Sequence, residues 1–139
     1  MKFTVTGMDD PLAGTINDNG DVVAARGGTE MMKEGLFERL DPDLASQFNI
    51  ICSRVRDISE DKKNILWLHD TWDDPEAQHL NDIESRNRFA KLVFVSNYQF
   101  QTYHLAHGVS YDESVILRNA IRPIPEHKKE KGDKINFIY

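Results

Sequence analysis

The chain has 139 residues, of which 40% are hydrophobic and 29% are charged, and its formal net charge is −6. This size and composition fit one soluble globular domain, and no apolar stretch reaches the roughly 20 residues that a membrane span needs. The acidic balance argues against nucleic acid as a partner, because such binding draws on several lysine or arginine contacts to phosphate.

The same features predict a cytoplasmic protein. Cys52 is the one cysteine, which rules out an internal disulfide and most metal frameworks. The first residues, MKFTVTGMDD, turn acidic too early for the apolar core of a signal peptide. The basic cluster at 127–134 (HKKEKGDK) is interrupted by acids, so we interpret it as a solvated linker rather than a phosphate or membrane site.

Strands and helices alternate along most of the chain. A strand is predicted at 2–6, an irregular stretch at 7–28, and a helix from residue 28 or 29 to about 40, where the DPD sequence at 41–43 stops it. The later predicted elements are strands at 47–54, 64–69, 91–96, 113–119 and 134–139, and helices at 74–89 and 98–108. Asp74 is the predicted N-cap of the first of these helices, and Gly108 is predicted to end the second.

This alternation predicts an α/β protein with a Rossmann-like parallel sheet flanked by helices. The strand at 91–96 is apolar at nearly every position, so we expect it to be buried on both faces. The link VRDISEDKK at 55–63 is too short for a full crossover helix and is the weak point of the topology.

Polar residues or glycines follow four of the predicted strands. In a parallel sheet the carboxyl ends of all strands lie on one edge, and ligands bind in the crevice along that edge, near the point where the strand order reverses. We therefore take as candidate site residues Gly27, Gly28, Thr29, His69, Asp70, Ser96, Asn97, Arg118 and Asn119.

Each candidate also has a structural interpretation. His69 can exchange a proton or bind a hydroxyl group, but a lone histidine at a strand end is more often structural. Asp70 either orients His69 or closes the strand end by a local hydrogen bond. The glycine pair lets backbone amides approach an anion at a helix N-terminus. Ser96 and Asn97 are helix caps first and ligand contacts second.

No metal or organic cofactor is expected. The DPD sequence at 41–43 follows a helix rather than an apolar strand, and NDNGD at 17–21 lacks the spacing and the distal glutamate of a calcium loop. The chain also lacks the glycine-rich dinucleotide motif, the P-loop and the esterase nucleophile motif.

Four segments together resemble the N-terminal domain of GT-B glycosyltransferases, particularly the retaining family 4. ARGGTEMMKEGLFERL resembles that family's Gly-Gly-x-Glu helix start, and ILWLHD resembles its strand that ends in histidine at the interdomain cleft. KLVFVSNYQFQTY is similar to its Val-Ser-Asn helix start. VILRNAIRPIP is similar to its strand that crosses to the second domain, with Ala120 in place of the usual glycine.

The resemblance implies an acceptor-side domain at 1–122, a linker at 123–133 and, at 134–139, the first strand of a donor-binding domain. It implies a nucleotide-sugar donor, a glycan or other hydroxyl acceptor, and retention of configuration. Gly27 and Gly28 would lie near the diphosphate and His69 would face the transferred sugar. In an inverting enzyme, His69 backed by Asp70 would be the base.

The resemblance further implies that this chain alone is inactive, because the donor-binding half is missing. The apolar strand at 134–139 would then be free to pair with an exposed edge or a second copy, giving a dimer. One alternative is a stand-alone carbohydrate- or nucleotide-binding module without catalysis. Another is a flavodoxin-like or nucleotide-hydrolysing domain, for which residues 25–29 are the one candidate phosphate loop.

Overall fold

Four parallel strands, β3 to β6, form the sheet on which the candidate site is built. The computed structural model describes residues 14–16, 22–24, 27–120, 123 and 125–126. Its elements, in chain order, are β1 (Gly14–Ile16), β2 (Val22–Ala24), α1 (Gly28–Phe37), α2 (Pro42–Ala45), β3 (Phe48–Cys52), β4 (Lys63–Leu68), a 3-10 helix (Pro75–Asn81), α3 (Ile83–Arg86), β5 (Lys91–Phe94), α4 (Asn97–His107) and β6 (Ser114–Ile116).

Some predicted elements lie outside the described residues, namely the strands at 2–6 and 134–139 and most of the linker at 123–133. In the described part of the chain, none of the helices is long and apolar enough to span a membrane.

The strands of the parallel sheet follow one another in the same order as in the chain. Ile51 pairs with Leu66, Leu68 with Phe94, and Phe94 with Ile116, all in parallel register. This confirms the prediction of an α/β protein with a parallel sheet flanked by helices, an arrangement consistent with a Rossmann-like fold. The order does not reverse within these four strands, so the described sheet lacks the switch point that we expected beside the ligand crevice.

Side-chain alternation divides the core into two layers, one on each face of the sheet. On one face Cys52, Trp67 and Val93 lie together, and Met32 and Leu36 of α1 pack against them. The opposite layer lies against the 3-10 helix and α4, and its buried residues are Ile51, Leu66, Leu68, Ala77, Leu80, Phe89, Leu92, Phe94, Phe100, Tyr103 and Val109. Buried residues of β5 occur in both layers, which confirms the prediction for the strand at 91–96.

The helix predicted over 74–89 is two short helices, the 3-10 helix and α3. Asp74 caps the first, as predicted, because its Oδ1 accepts a hydrogen bond from the Glu76 N–H (2.8 Å). Asp82 interrupts the helix: its backbone is extended (φ −91°, ψ 124°), and its carboxylate accepts from two N–H groups of α3. Aspartate favours such a start over a helix interior, since its side chain competes for nearby backbone donors.

The stretch predicted to be irregular over 7–28 contains an antiparallel strand pair, β1 with β2. The turn-rich sequence NDNGD at 17–21 separates the two strands in the chain. Three residues per strand are too few to show the alternation from which strands are predicted, which explains why the sequence reasoning missed them.

The connection between β3 and β4 has no helix, although the two strands are parallel. Buried Asn64 organises this connection: its Oδ1 accepts from the Ser59 N–H and its Nδ2 donates to the Ser59 carbonyl, both at 2.9 Å. Val55 and Ile58 of the connection pack against the core layer beneath α4. The loop therefore covers a part of the sheet that a crossover helix covers in most βαβ units.

Helix α4 begins and ends as predicted. Ser96 caps it by accepting a hydrogen bond from the Gln99 N–H (3.1 Å). Gly108 ends it in the left-handed conformation (φ 69°), which glycine adopts without the steric cost that a side chain imposes.

Arg86 is a buried arginine that ties α3 to the end of α4. Its guanidinium donates to the carbonyls of Leu80 (2.8 Å) and His107 (3.0 Å) and pairs with Glu113 (3.0 Å). Burial acts to raise the pKa of Glu113, but hydrogen bonds from Ser110 and Arg86 outweigh it, so the pKa is lowered. Because a buried cation is tolerated only when its donors are satisfied, this network sets how α3 packs against α4.

Replacing Arg86 with methionine removes the cation and its hydrogen bonds to the carbonyls of Leu80, His107 and Gly108. We expect Arg86→Met to lower the free energy of unfolding by about 3 kcal/mol, measured by denaturant titration. Arg39→Met, at an exposed arginine after α1, is the matched control and should change stability by less than about 0.5 kcal/mol. A similarly small change in both variants would contradict the structural role of Arg86.

Candidate functional site

The candidate site lies at the carboxyl ends of β3 and β4, on the face of the sheet that α1 covers. His69 follows β4 directly, and its backbone N–H donates to Ser53 Oγ (3.0 Å) at the end of β3. Ser53 has a positive φ of 55°, the one such non-glycine residue in the described part of the chain. Conformations of this kind persist where the surrounding structure enforces them, often at functional sites.

The imidazole of His69 lies against the indole of Trp67, with ring centroids 4.6 Å apart and an interplanar angle of 52°. Three polar atoms of this His69–Trp67 pair are buried: both imidazole nitrogens and the indole Nε1. None of them has a hydrogen-bond partner among the described residues. Since buried polar groups are almost always paired, three orphans in two touching rings mark this place as unusual.

Burial lowers the pKa of His69, while the Trp67 backbone and the charge of Asp70 act in the opposite direction. The imidazole is therefore neutral at pH 7, with one nitrogen able to donate and the other able to accept. Of the two roles predicted for Asp70, the structure does not show the first, which is to orient His69, because the Asp70 carboxylate makes no hydrogen bond with either ring nitrogen. Instead, the backbone carbonyl of Asp70 accepts hydrogen bonds from α4.

The N-terminus of α1 approaches the same edge of the sheet. Gly27 is its N-cap and has no side-chain hydrogen bond, and Thr29 is half-buried. A Cβ atom added to Gly27 would lie 2.6 Å from Glu30 Oε2, whereas one added to Gly28 would meet no described atom within 4 Å apart from its flanking residues and the backbone of its own helix. The Glu30 carboxylate thus occupies the Gly27 side of the positive helix end, and the Gly28 side is open.

Lys33, one turn further along α1, is buried with Cys52 of β3 and was missed by the sequence reasoning. Burial lowers the pKa of Lys33, and the nearby Cys52 partly opposes this. Burial also raises the pKa of the Cys52 thiol, an effect that Lys33 opposes and Glu30 reinforces. These couplings place the first turns of α1 beside the end of β3, next to the strand that carries His69.

The remaining predicted residues are less central. Ser96 serves as the cap of α4, and Asn97, its first residue, is exposed. Arg118 and Asn119 are exposed and follow β6, which begins one residue later and ends three residues earlier than the strand predicted at 113–119. Because β5 separates β4 from β6, they start about 10 Å from the strand of His69.

The structure adds residues to the site that do not follow a strand and were therefore not predicted. In the sequence, Trp67 has the pattern of a core residue and Lys33 that of a surface residue. The alternation of β4 and the spacing of α1 do not indicate that the two residues belong to one cluster. Gln99, Tyr103 and His107 of α4 reach the loop that follows β4. Their spacing of four residues was visible in the sequence, but their target was not.

The described residues contain no group of three or more histidine, cysteine, aspartate or glutamate side chains that could hold a metal ion. Comparisons of the chain with protein-family models, with curated proteins and with solved structures find no match.

The lowered pKa of His69 predicts a pH dependence of stability. Below its ordinary value of 6.5, the unfolded chain takes up a proton that the folded chain resists, so stability is lost as the pH falls. His79, whose pKa burial also lowers, contributes in the same direction. We expect His69→Phe, which keeps a ring on Trp67, to unfold with a shallower pH dependence between pH 7 and pH 5.

Thermal or denaturant unfolding at several pH values measures this slope. The His79 contribution should remain in the variant, so the slope should decrease without vanishing. An unchanged slope would show that burial does not suppress the protonation of His69.

Proposed function

We propose that this chain is the acceptor-side domain of a GT-B-type glycosyltransferase and that the carboxyl edge of its sheet binds part of a nucleotide sugar. The observation that carries the proposal is the His69–Trp67 pair, with three buried polar atoms that lack partners among the described residues. A parallel sheet with helices on both faces, and a glycine-started helix at the same edge, give further support.

A sugar hydroxyl suits the His69–Trp67 pair, because it can accept from one nitrogen and donate to another. The neutral imidazole offers one donor and one acceptor, and the indole offers a donor. Leaving such groups buried and unpaired costs about 1–3 kcal/mol each, so a ligand that supplies the missing bonds recovers that free energy. Since the three atoms are buried, the groups that cover them must move aside when the ligand binds.

The diphosphate of the donor would approach Gly28. That position is sterically open, and the positive end of the α1 dipole favours an anion there. Glu30 limits the approach on the Gly27 side, because its carboxylate lies there. The buried Lys33 adds a cationic group one turn deeper in the helix when it is protonated.

His69 acts in this proposal as a positioning group rather than as a base. Burial, the largest influence on the His69 pKa, disfavours the protonated imidazole, and no carboxylate among the described residues hydrogen-bonds to either ring nitrogen as in a catalytic triad. This role fits the front-face reaction with retention that the resemblance implies, in which the leaving phosphate helps to deprotonate the acceptor. A domain that holds only part of the donor should bind it weakly, with a dissociation constant of about 1 mM.

Nuclear magnetic resonance of the 139-residue chain tests this proposal, using UDP-glucose, ADP-glucose and GDP-mannose as probes. The chain has two tryptophans, so the Trp72→Phe variant assigns the indole N–H signal of Trp67. We expect one of the probes to shift this signal in a saturable way, since a new hydrogen bond forms at Nε1. Absence of a saturable shift at about 10 mM ligand would contradict the proposal.

Gly28→Ala tests the approach of the diphosphate, and Gly35→Ala in the same helix is its matched control. Both substitutions place alanine in a helix without close contact, so each should raise stability by up to about 1 kcal/mol. Only Gly28→Ala should weaken binding of the nucleotide sugar, because its methyl group fills the open side of the helix end. Equal affinities for the two variants would exclude Gly28 as the contact.

A further inference from the structure

Helix α4 contacts the loop after β4, which begins with His69, through side chains on its buried face. Gln99, Tyr103 and His107 lie four residues apart, so they form a row along the helix, and all three are buried. Each contacts a backbone carbonyl at the end of β4 or in the loop after it. We infer that this row, the α4 donor row, positions His69, and that its three members are positioning residues of the site.

Gln99 fastens the end of β4 to the end of β5. Its Oε1 accepts from the Val95 N–H (2.8 Å), which orients the side-chain amide. Its Nε2 then points to the carbonyls of Leu68 (3.3 Å) and Asp70 (2.8 Å), one on each side of His69 in the chain. A change in the Gln99 side chain would therefore act directly on the backbone that flanks the imidazole.

Tyr103 holds the next part of the loop. Its hydroxyl lies 3.2 Å from the Asp70 carbonyl and 3.1 Å from the Thr71 carbonyl. Burial raises the pKa of Tyr103 well above its usual range, and the negative charges of nearby aspartates, Asp70 first among them, add to this. The hydroxyl is therefore protonated at neutral pH, and it donates to these carbonyls.

His107 completes the row. Its Nε2 lies 2.7 Å from the Trp72 carbonyl and its Nδ1 lies 2.8 Å from Asn81 Oδ1. The Asn81 amide is oriented by its own Nδ2, which donates to the Gln78 carbonyl (3.2 Å). Both ring nitrogens thus face oxygen atoms, so His107 links the loop to the 3-10 helix.

Ser53 secures the opposite side of the same loop. Its Oγ accepts from the His69 N–H, while α4 holds the carbonyls of residues 68, 70, 71 and 72. The backbone around His69 is therefore bound on both sides by side chains that do not belong to the loop. Such support keeps a binding group within the small range of positions that recognition requires.

Tyr103→Phe tests the inference most cleanly, because it removes one buried hydroxyl and keeps the ring in the core. Tyr98→Phe makes the same chemical change at an exposed position of the same helix and is the matched control. Hydrogen exchange of two amides reports the loop: the His69 N–H bonds to Ser53 Oγ, and the Asp74 N–H bonds to the Thr71 carbonyl. Exchange of the Leu66 amide in β4 reports global unfolding.

We expect Tyr103→Phe to speed exchange of the two loop amides about tenfold relative to Leu66, and Tyr98→Phe to leave the ratio unchanged. A second pair guards against a folding defect in the first variant. His107→Phe should also speed loop exchange, and His107→Gln, which keeps a donor, should restore part of the protection. Loop exchange that changes only in parallel with Leu66 in both pairs would overturn the inference.

The effect on ligand binding rests on the proposed function. The positioning role of the α4 donor row and the proposed function can nevertheless fail separately. If a nucleotide sugar shifts the Trp67 indole signal in the wild-type chain, Tyr103→Phe should weaken that binding about tenfold, and Tyr98→Phe should not. If no probe binds but loop exchange responds as expected, the proposed ligand is wrong and the positioning role stands. If Tyr103→Phe speeds loop exchange but leaves ligand binding unchanged, the α4 donor row does not contribute to ligand recognition.

Discussion

The site depends on how β4 leaves the sheet between two packed layers. Successive side chains of a strand point to opposite faces, so Trp67 packs beneath α1 and Leu68 packs beneath α4. His69 returns to the Trp67 side, where the two rings touch. The carbonyls before and after His69 are held from the side of α4. A single strand end thus brings together a ring pair and a fixed backbone.

Electrostatics and burial give the two sides of the loop different properties. On the α4 side, each buried donor meets a carbonyl, so the polar groups are satisfied and add to rigidity. On the α1 side, the imidazole and indole nitrogens lack partners among the described residues. This contrast within one loop is the physical basis of our proposal that the α4 side supports the site and that the α1 side binds the ligand.

Sequence reasoning worked best where the cause was local. Ser96 caps the start of α4 and Gly108 ends it, as predicted, and Asp74 caps the 3-10 helix. Each of these residues acts on backbone groups only a few residues away in the chain. The parallel sheet followed from the alternation of strands and helices. Asp82, in contrast, divides a segment whose apolar spacing suggests one helix. Its backbone is extended, and its side chain caps a new helix, α3, instead of continuing the 3-10 helix.

Parts of the site that depend on tertiary structure could not be predicted. His69 was found because it ends an apolar strand, but its missing partners and the burial of Trp67 Nε1 follow from packing against other elements. Gln99, Tyr103 and His107 recur every four residues in the sequence, yet their acceptors are carbonyls about 30 residues away along the chain. The spatial order of β3 to β6, which does not reverse, likewise cannot be predicted from the residues of any single strand.

The most direct test of the account is a crystal structure of the chain grown with a nucleotide sugar. We expect a sugar or phosphate oxygen at about 3 Å from Trp67 Nε1 and from a ring nitrogen of His69, with the loop carbonyls still held by α4. A ligand bound elsewhere on the chain, with these nitrogens paired to protein groups, would contradict the assignment of the site.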